Sequence, residues 1–234
     1  MRGSVRLFAL AAVAFGLVAA SAQPVSAQNA CAGLPTHAEL KAAVTAARAA
    51  VNVAPNRGFN LPMWGSIVNR DGTVCAVAFT GSALGDQWPG SRVISAQKAN
   101  TANAFSLNNL ALSTAQLYPL VQPGASLFGL QESNPVDTSV AYHGPASNFG
   151  QPNDPMTGQR IGGVNVFGGG LALYKNGQIV GAIGVSGDTS CADHNIAWQA
   201  RKNLGMNVTP TNDNITYGAN AHPTCLGGET PPAP

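Results

Sequence analysis

The sequence predicts one antiparallel sheet, built from two similar β-hairpins, with helices packed on it. Asp71-Gly72 and Asn176-Gly177 each separate two apolar stretches of strand length. Asn176-Gly177 is the stronger hairpin signal, because a type I′ turn requires positive φ at both of its central residues. A glycine-containing exit and a helical pattern follow the second strand in both cases. This shared plan predicts that the two hairpins belong to a single sheet.

The first 27 residues have the features of a signal peptide. Arg2 and Arg6 give a positive start, Leu7–Ala20 is apolar, and Val25-Ser26-Ala27 fits the small-x-small cleavage rule. A signal anchor is the alternative, but the apolar run is short for a membrane-spanning helix. We therefore expect cleavage after Ala27 and export to the periplasm or the extracellular space.

The charge balance excludes some classes of partner. The formal charge is +2, and the expected loss of Arg2 and Arg6 brings it to zero. Nucleic acids and anionic surfaces need a concentrated basic patch, so neither is expected as a partner. A surface with few charges is poorly protected against self-association, which favours a homo-oligomer. We expect one domain, residues 28–206, followed by an irregular tail, residues 207–234.

The first helix and the first hairpin follow one another along the chain. Thr36 and Glu39 form an S/T-x-x-E capping box. Apolar residues then recur at helical spacing as far as Val51, and Pro55 and Gly58 are expected to end the helix. Residues 63–79 form the hairpin around Asp71-Gly72.

The second helix is predicted over Arg92–Leu112, with Ser91 as N-cap. It is rich in alanine, so it is thin enough to pack close to a sheet. Residues 117–167 then lack helical or strand periodicity and contain six prolines. One strand is expected near Ala125–Leu130. Connections of this length are often functional, and we expect the rest to wrap over the sheet or to reach a neighbouring subunit.

Glycines in the last predicted strand indicate a close approach. Gly181 and Gly184 alternate with larger residues between Gln178 and Val185. Glycine inside a strand usually marks the approach of another backbone or of a ligand. The approaching group is expected to be a helix, a second subunit or a flat ligand. The helix that follows has Gly205 as its C-terminal cap.

The four cysteines predict two disulfide bonds in an exported protein. Four cysteines allow three pairings. The first helix runs one way and the first strand returns, so the second strand starts near the helix N-terminus and brings Cys75 near Cys31. Cys191 begins the last helix, and the tail that must fold back carries Cys225. The expected pairs are therefore Cys31–Cys75 and Cys191–Cys225, the second of which ties the tail back.

Two segments carry a resemblance to a known family. The run Gly181-Ala-Ile-Gly-Val-Ser-Gly187, followed by Asp193 and Ala197, resembles the GlcG/HbpS family of haem-binding proteins. Ile94–Phe105 resembles the S-x-x-x-A-x-x-K-A-x-T-A-x-x-F helix of the same family. The resemblance covers roughly residues 36–205. This chain departs from the family pattern in its long 117–167 segment, its four cysteines and the sequence Cys-Ala-Asp-His-Asn at residues 191–195.

The resemblance implies an α+β fold in which an antiparallel sheet of about five strands packs with helices in a profilin-like, two-layer arrangement. It also implies oligomers and, in exported members, haem binding with a role in haem handling or sensing. Relatives in other contexts differ in function, so membership does not fix the ligand.

Haem binding requires an apolar slot and often a histidine ligand. His194 is the first candidate for iron, and Trp198, four residues further along the helix, is placed to stack on a flat ligand. His143 is the second candidate, with Tyr142 beside it as another possible ligand. His37 at the start of the first helix is the third, and His222 in the tail is the weakest.

Each of these residues also has an ordinary structural interpretation. Asp193 can cap the last helix, His194 can be a surface residue and Trp198 can fill the core. His143 can be an unremarkable loop residue, and His37 an ordinary first-turn residue. Contacts to haem propionates are expected from one or more of three basic residues, Arg92, Lys98 and Arg160, unless these are simply solvated.

The motifs of several enzyme classes are absent from the sequence. Gly184-Val-Ser-Gly187 lacks the spacing of the G-x-S-x-G nucleophile elbow, because Asp188 stands where the second glycine belongs. The chain has no Walker loop, H-E-x-x-H or CxxC pair. Two hypotheses remain: an exported protein that binds haem or a related tetrapyrrole, or a non-catalytic interaction module that docks a partner such as a sensor ectodomain. Catalysis is left open but is the less favoured interpretation.

Overall fold

A computed structural model describes residues 30–51, 56, 58–207 and 212–233. The expected signal peptide and Pro55 lie outside these residues. Among the residues described, no helix is both long enough and apolar enough to span a membrane.

Two pairs of consecutive strands are separated and flanked by helices along the chain. The helices are α1 (His37–Val51), α2 (Ser91–Phe105), the one-turn α3 (Thr114–Leu117) and α4 (Thr138–Ala141), and α5 (Ser190–Asn203); the strands are β1 (Trp64–Asn69), β2 (Val74–Phe79), β3 (Gly170–Lys175) and β4 (Gln178–Ser186). The expected capping box starts α1, because the Thr36 N–H donates to Glu39 Oε2 at 2.8 Å and the Glu39 N–H donates to Thr36 Oγ1 at 3.3 Å.

The four strands form one antiparallel sheet in the order β2-β1-β4-β3. The two hairpins meet through β1 and β4, whose register places Trp64 opposite Ser186 and Asn69 opposite Gly181. Asn176 and Gly177 have φ values of 53° and 75° at the second turn, as a type I′ turn requires. The prediction of one α+β fold from two hairpins is confirmed, with four strands where about five were expected.

Helices cover both faces of the sheet. Helices α1 and α5 pack together on one face, in a cluster that includes Leu40, Ile67 and Trp198. Helix α2 lies on the other face, where Ala96 and Ala99 contact residues such as Val68. The architecture thus has three layers, whereas the family resemblance suggested two. The third layer comes from α1 and α5 sharing one face while α2 takes the other.

Helix α2 makes the close approach to Gly184, whereas Gly181 faces the neighbouring strand β1, where its Cβ would lie 2.1 Å from the Val68 carbonyl oxygen. A Cβ atom built on Gly184 would lie 1.9 Å from the Ser95 carbonyl oxygen and 2.5 Å from the Ala99 nitrogen. Among the three alternatives left open by the sequence, a helix therefore occupies this position.

Two sequence-based boundaries are corrected. Helix α2 ends at Phe105 instead of Leu112, because residues 107–110 turn back through paired backbone hydrogen bonds between Leu107 and Leu110. The strand expected at Ala125–Leu130 is a series of turns, which folds on itself through a hydrogen bond from the Leu127 N–H to the Leu120 carbonyl. Leu127 packs with Leu117 in a small apolar cluster, so this apolar side chain is buried although the segment is not a β-strand.

Both predicted disulfide bonds are confirmed. Cys31 pairs with Cys75, and Cys191 pairs with Cys225. The second bond holds the C-terminal tail against the first turn of α5. Gly205, with φ of 65°, follows the end of α5 as expected for a C-terminal cap.

Irregular segments cover the outer strands. At β2, the Gly158 N–H donates to the Val74 carbonyl and the Val74 N–H donates to the Gln159 carbonyl. At β3, three alternate residues make backbone hydrogen bonds on the side away from β4. The Gly170 N–H donates to Thr114 Oγ1, and the Tyr174 N–H donates to the Met206 carbonyl. Between them, the Ala172 carbonyl accepts a hydrogen bond from the Arg201 guanidinium.

Candidate functional site

His194 and Trp198 are neighbours in the core beneath the tail. Both side chains are buried, and their rings lie 6.1 Å apart between centroids. His194 Nε2 accepts a hydrogen bond from the Ile215 N–H at 3.1 Å, and the Trp198 indole N–H donates to the Ala233 carbonyl at 2.9 Å. Iron coordination by His194 would require the hydrogen bond from the Ile215 N–H to break.

The imidazole of His194 is held in its neutral form. Burial is the main cause that lowers its pKa, to about 3, with the nearby positive charge of Arg201 acting in the same direction. The Nδ1 atom, which then carries the proton, has no partner among the described residues. The sequence of the first turn of α5 does not indicate that His194 is buried. Asp193 and His194 are both polar, and the tail residues that cover them lie some twenty positions further along the chain.

His222 is buried where the tail crosses the start of α5. Its Nδ1 lies 2.7 Å from the Pro223 carbonyl and its Nε2 lies 3.2 Å from Ser190 Oγ. Its ring contacts that of Tyr118 at 5.0 Å between centroids. Burial lowers the pKa of His222. His222, the weakest haem-ligand candidate from the sequence, is therefore buried and has close contacts at both ring nitrogens.

His37 connects α1 to the long segment between α3 and β3. Its side chain is half-buried, and the Nε2–H donates to the Gly150 carbonyl at 2.8 Å. Gly150 lies directly against the side chains of Phe79 and Trp64, since a Cβ there would come within 2.7 Å and 2.9 Å of them. The histidine thus anchors the loop that covers this end of β1 and β2.

Tyr142 and His143 follow α4 on the surface. Both side chains are exposed. Among the residues that the structure describes, His143 is the histidine whose ring is exposed and makes no hydrogen bond to the chain. It is therefore the candidate ligand that is available without any rearrangement. The structure does not bring it together with His194 or Trp198, which lie in the core below the tail.

Two of the three basic residues considered for propionates are engaged in the interior. Arg92 is buried in a two-pronged ion pair with Asp154 and lies over the Phe149 ring. Lys98 Nζ is buried 2.7 Å from Asp193 Oδ2. Arg160 is exposed and pairs with Asp71 at 2.6 Å. Arg160 alone among these three has its charge at the surface.

An aromatic cleft lies at the end of the β1–β2 hairpin, and sequence reasoning did not identify it. Trp64 and Phe79 stack there at 4.2 Å between centroids, and Phe149 comes from the loop that His37 anchors. The cleft encloses about 310 Å³ and is also lined by Leu84, Ala146 and Ser147. The signal that could have found it is Trp64 directly across the hairpin from Phe79, because such pairs place two rings on one face.

The cleft combines aromatic and polar groups. The Trp64 and Phe79 rings are almost fully buried and stack on each other, and Arg92 lies over the Phe149 ring. The volume of the cleft is at the lower end of the range of small-molecule sites. The Trp64 indole N–H is buried and has no acceptor within the described parts of the chain. A carboxylate entering the cleft would give this donor a partner. Ala146 stands three residues after His143 on the same loop, so the exposed imidazole and the cleft belong to one segment.

Two further hollows differ in chemistry. A groove of about 540 Å³ between α1 and the end of α5 is lined by alanines of α1 together with Leu34, Met206 and Lys175. A hollow of about 730 Å³ beside the Asp71 turn is polar and contains Arg70 and Arg160. Neither is lined by histidine, tyrosine or cysteine, the commoner iron ligands.

Comparison with known proteins found similarities in sequence and structure. A solved structure entitled PduOC:heme complex is 24% identical, covering 73% of this chain and 93% of its own with a TM-score of 0.49. The Klebsiella pneumoniae protein ORFY is 25% identical, covering 73% and 90% with a TM-score of 0.49. An uncharacterised 15.0 kDa protein from the dhaT-dhaS intergenic region of Citrobacter freundii is 33% identical over 138 residues, which is 59% of this chain and 72% of that protein. The family model described as haem degrading protein HbpS-like matches residues 38–202, so the chain belongs to the HbpS-like family.

Proposed function

We propose that this protein binds haem at the aromatic cleft, with His143 as the iron ligand. The observation that carries the proposal is that His143 has an exposed ring with no hydrogen bond to the described residues, three residues before Ala146, which lines the cleft on the same loop. Membership of a family described as haem-degrading supports the choice of haem over other planar ligands.

The chain's own residues fit this role. Trp64, Phe79 and Phe149 line the cleft that would receive the edge of an apolar ring system, and the buried Trp64 N–H is the donor that a propionate would find there. Tyr142 beside His143 offers a phenol as a second oxygen or iron contact. Haem, when bound, supplies an iron centre able to bind small ligands and exchange electrons. His194 and Trp198 stay in the core and support α5.

A cleft of about 310 Å³ would cover only part of a porphyrin, so a second copy of the chain would cover the rest. Tyr142, Leu84 and Phe59 expose large apolar surfaces on or near the same end of the sheet. Sharing such surfaces between copies would remove apolar area from water. The proposed active form is therefore a homo-oligomer with haem near a contact between subunits.

Titration with hemin tests the proposal. The protein without its first 27 residues should give a saturable Soret shift, which His143→Ala reduces at least about tenfold in affinity, as expected for the loss of a ligand. His194→Gln is the matched control, because it changes a buried histidine and should leave the shift intact. An unchanged affinity in His143→Ala, or no saturable shift in the parent protein, would reject the assignment.

The same sample distinguishes binding from degradation. With ascorbate and oxygen present, progressive loss of the Soret band indicates degradation, whereas a stable band indicates storage or sensing. The proposed export is tested separately by N-terminal sequencing of the secreted protein, which should begin at Gln28.

A second candidate function is the docking of a partner protein, such as a sensor ectodomain, without ligand. The exposed pair of Phe59 and Trp88 favours it, since the rings meet edge to face at 6.4 Å and are 58% and 52% exposed. Exposed aromatic residues are enriched among the dominant contacts of interfaces. If hemin produced no shift, while replacement of both aromatic residues by serine abolished capture of a sensor ectodomain, this alternative would replace haem binding.

A further inference from the structure

The tail meets the first turn of α5 in a cluster of potential metal ligands. Cys191, His222 and Cys225 present ligand atoms that all lie within 4.8 Å of one another. Cys191 and His222 are fully buried, and Cys225 is half-buried. In the oxidised chain the two sulfur atoms are joined to each other. The cluster belongs neither to the aromatic cleft nor to the residues proposed for haem.

We propose that reduction of the Cys191–Cys225 disulfide creates a site for a thiophilic divalent cation such as Zn²⁺, with both thiolates and His222 Nδ1 as ligands. Two thiolates and one imidazole, with a water in the fourth position, make a tetrahedral zinc site. This site is independent of the proposed haem function.

The distances require only small adjustments. Cys191 Sγ lies 4.0 Å from His222 Nδ1. A tetrahedral ion with Zn–S near 2.3 Å and Zn–N near 2.1 Å separates sulfur from nitrogen by about 3.6 Å and the two sulfurs by about 3.8 Å. The imidazole is therefore nearly in place. The main movement is of Cys225, which stands on an irregular and half-exposed part of the tail.

A second shell is already present around the ligands. His222 Nε2 lies 3.2 Å from Ser190 Oγ, so with metal on Nδ1 the Nε2–H donates to this hydroxyl. Such a hydrogen bond fixes the tautomer of a metal-bound histidine. The Pro223 carbonyl, 2.7 Å from Nδ1 in the oxidised chain, gives up this contact when the metal binds.

The surroundings also favour thiolates. Cys225 Sγ accepts a hydrogen bond from the Cys191 N–H at 3.2 Å and lies 3.5 Å from Ser190 Oγ. Cys191 is the second residue of the fourteen-residue helix α5, where the helix dipole stabilises negative charge. These contacts lower the cost of forming the two anions that the metal requires.

The reaction balances with a dithiol as reductant. The disulfide takes up two electrons and two protons, and the reductant, a small dithiol or a protein dithiol, becomes a disulfide. Binding of Zn²⁺ then releases the two thiol protons. The pair Cys31–Cys75 serves as an internal control, because among the described residues no histidine or carboxylate forms a ligand group with it.

Cobalt and zinc binding to the reduced protein test the proposal. After reduction, Co²⁺ should bind once per chain and give a thiolate-to-cobalt charge-transfer band, while the oxidised protein should give none. Cys31→Ser/Cys75→Ser should keep the band and Cys191→Ser/Cys225→Ser should lose it. His222→Ala should weaken binding at least about tenfold.

A measurement on the unmodified chain avoids variants that fold poorly. Zn²⁺ should protect Cys191 and Cys225 of the reduced protein from iodoacetamide, leaving Cys31 and Cys75 reactive. Equal alkylation of all four cysteines with and without Zn²⁺, or an undiminished cobalt band in Cys191→Ser/Cys225→Ser, would overturn the proposal.

Discussion

Lys98 of α2 and Asp193 of α5 form an ion pair that connects helices on opposite faces of the sheet, with Nζ 2.7 Å from Oδ2. The pair passes beside the start of β3, where Gly169 leaves room. A Cβ on Gly169 would lie 3.1 Å from Lys98 Nζ and 2.3 Å from the Val185 carbonyl. Lys98 also donates to that carbonyl at 3.1 Å. The absence of a side chain at Gly169 therefore leaves room for the Lys98 ammonium group to reach Asp193 beside the edge of the sheet.

Removal of one partner of this pair should destabilise the fold strongly. Lys98→Met leaves the buried Asp193 carboxylate without compensation and should lower the free energy of unfolding by about 3–5 kcal/mol. Burial raises the pKa of Asp193 to about 6 and lowers that of Lys98, so desolvation outweighs the attraction between them. The double replacement Lys98→Met/Asp193→Leu should therefore recover part of the loss.

Urea denaturation measures this effect, and Arg160→Met is its matched control. The Arg160–Asp71 pair is exposed and screened by water, so its loss should cost far less than the loss of the buried pair. Equal losses in Lys98→Met and Arg160→Met would contradict the prediction.

Gly184→Ala should weaken the packing of α2 on the sheet. The added methyl group would lie 1.9 Å from the Ser95 carbonyl, and backbone atoms of a helix cannot move aside without shifting the helix. Overpacking of this kind costs about 1–3 kcal/mol or more. Gly85→Ala is the control, since its Cβ would meet nothing within 4 Å. Thermal unfolding of the two variants compares them directly, and similar melting temperatures would show that α2 is not held by this contact.

The buried His194 should make the fold sensitive to acid. Its pKa is about 3 in the folded chain against an ordinary value of 6.5. A lowered pKa in a base means that the unfolded chain takes up the proton first, so stability is complete above pH 6.5 and falls as the pH decreases toward 3. A shift of this size corresponds to about 5 kcal/mol. The free energy of unfolding, measured between pH 7 and pH 4, should decline less steeply in His194→Gln than in the parent chain. A parent-like slope in His194→Gln would refute the assignment.

The two disulfides should contribute by similar amounts although they act on different parts of the chain. Their sequence separations of 44 and 34 residues correspond to about 4 kcal/mol each if cross-linking restricts the unfolded chain. Cys191→Ser/Cys225→Ser should also free the tail that accepts the Trp198 indole hydrogen bond at Ala233. Limited proteolysis should therefore cleave the tail of this variant first, whereas Cys31→Ser/Cys75→Ser should keep it protected. Protection of the tail in both variants would contradict this role.

The local signals in the sequence predicted much of the fold. Asn176-Gly177, the Thr36–Glu39 capping box and Gly205 each act within a few residues, so their effects are visible in sequence. The disulfide pairing followed from the direction of α1 and the first hairpin. By contrast, the pairs Arg92–Asp154 and Lys98–Asp193 join residues 62 and 95 positions apart. Contacts over such distances depend on the tertiary fold, which no local pattern encodes.

The candidate site was harder to predict for the same reason. His194 seemed available because its neighbours in sequence are polar, yet the remote segment around Ile215 covers it. His143 is available because its loop ends at the surface after α4. The aromatic cleft depends on Phe149, which reaches Trp64 and Phe79 across more than sixty residues of sequence.

The coverage of β3 has a consequence for how copies of this protein meet. Thr114, Arg201 and Met206 each occupy one outward backbone group, on Gly170, Ala172 and Tyr174 respectively. A foreign strand would have to displace these three contacts before it could pair along β3, which discourages one route to fibrous aggregation. Copies that associate on this side must therefore recognise one another through the shapes and charges of side chains, and such contacts can be formed and released without remaking the sheet.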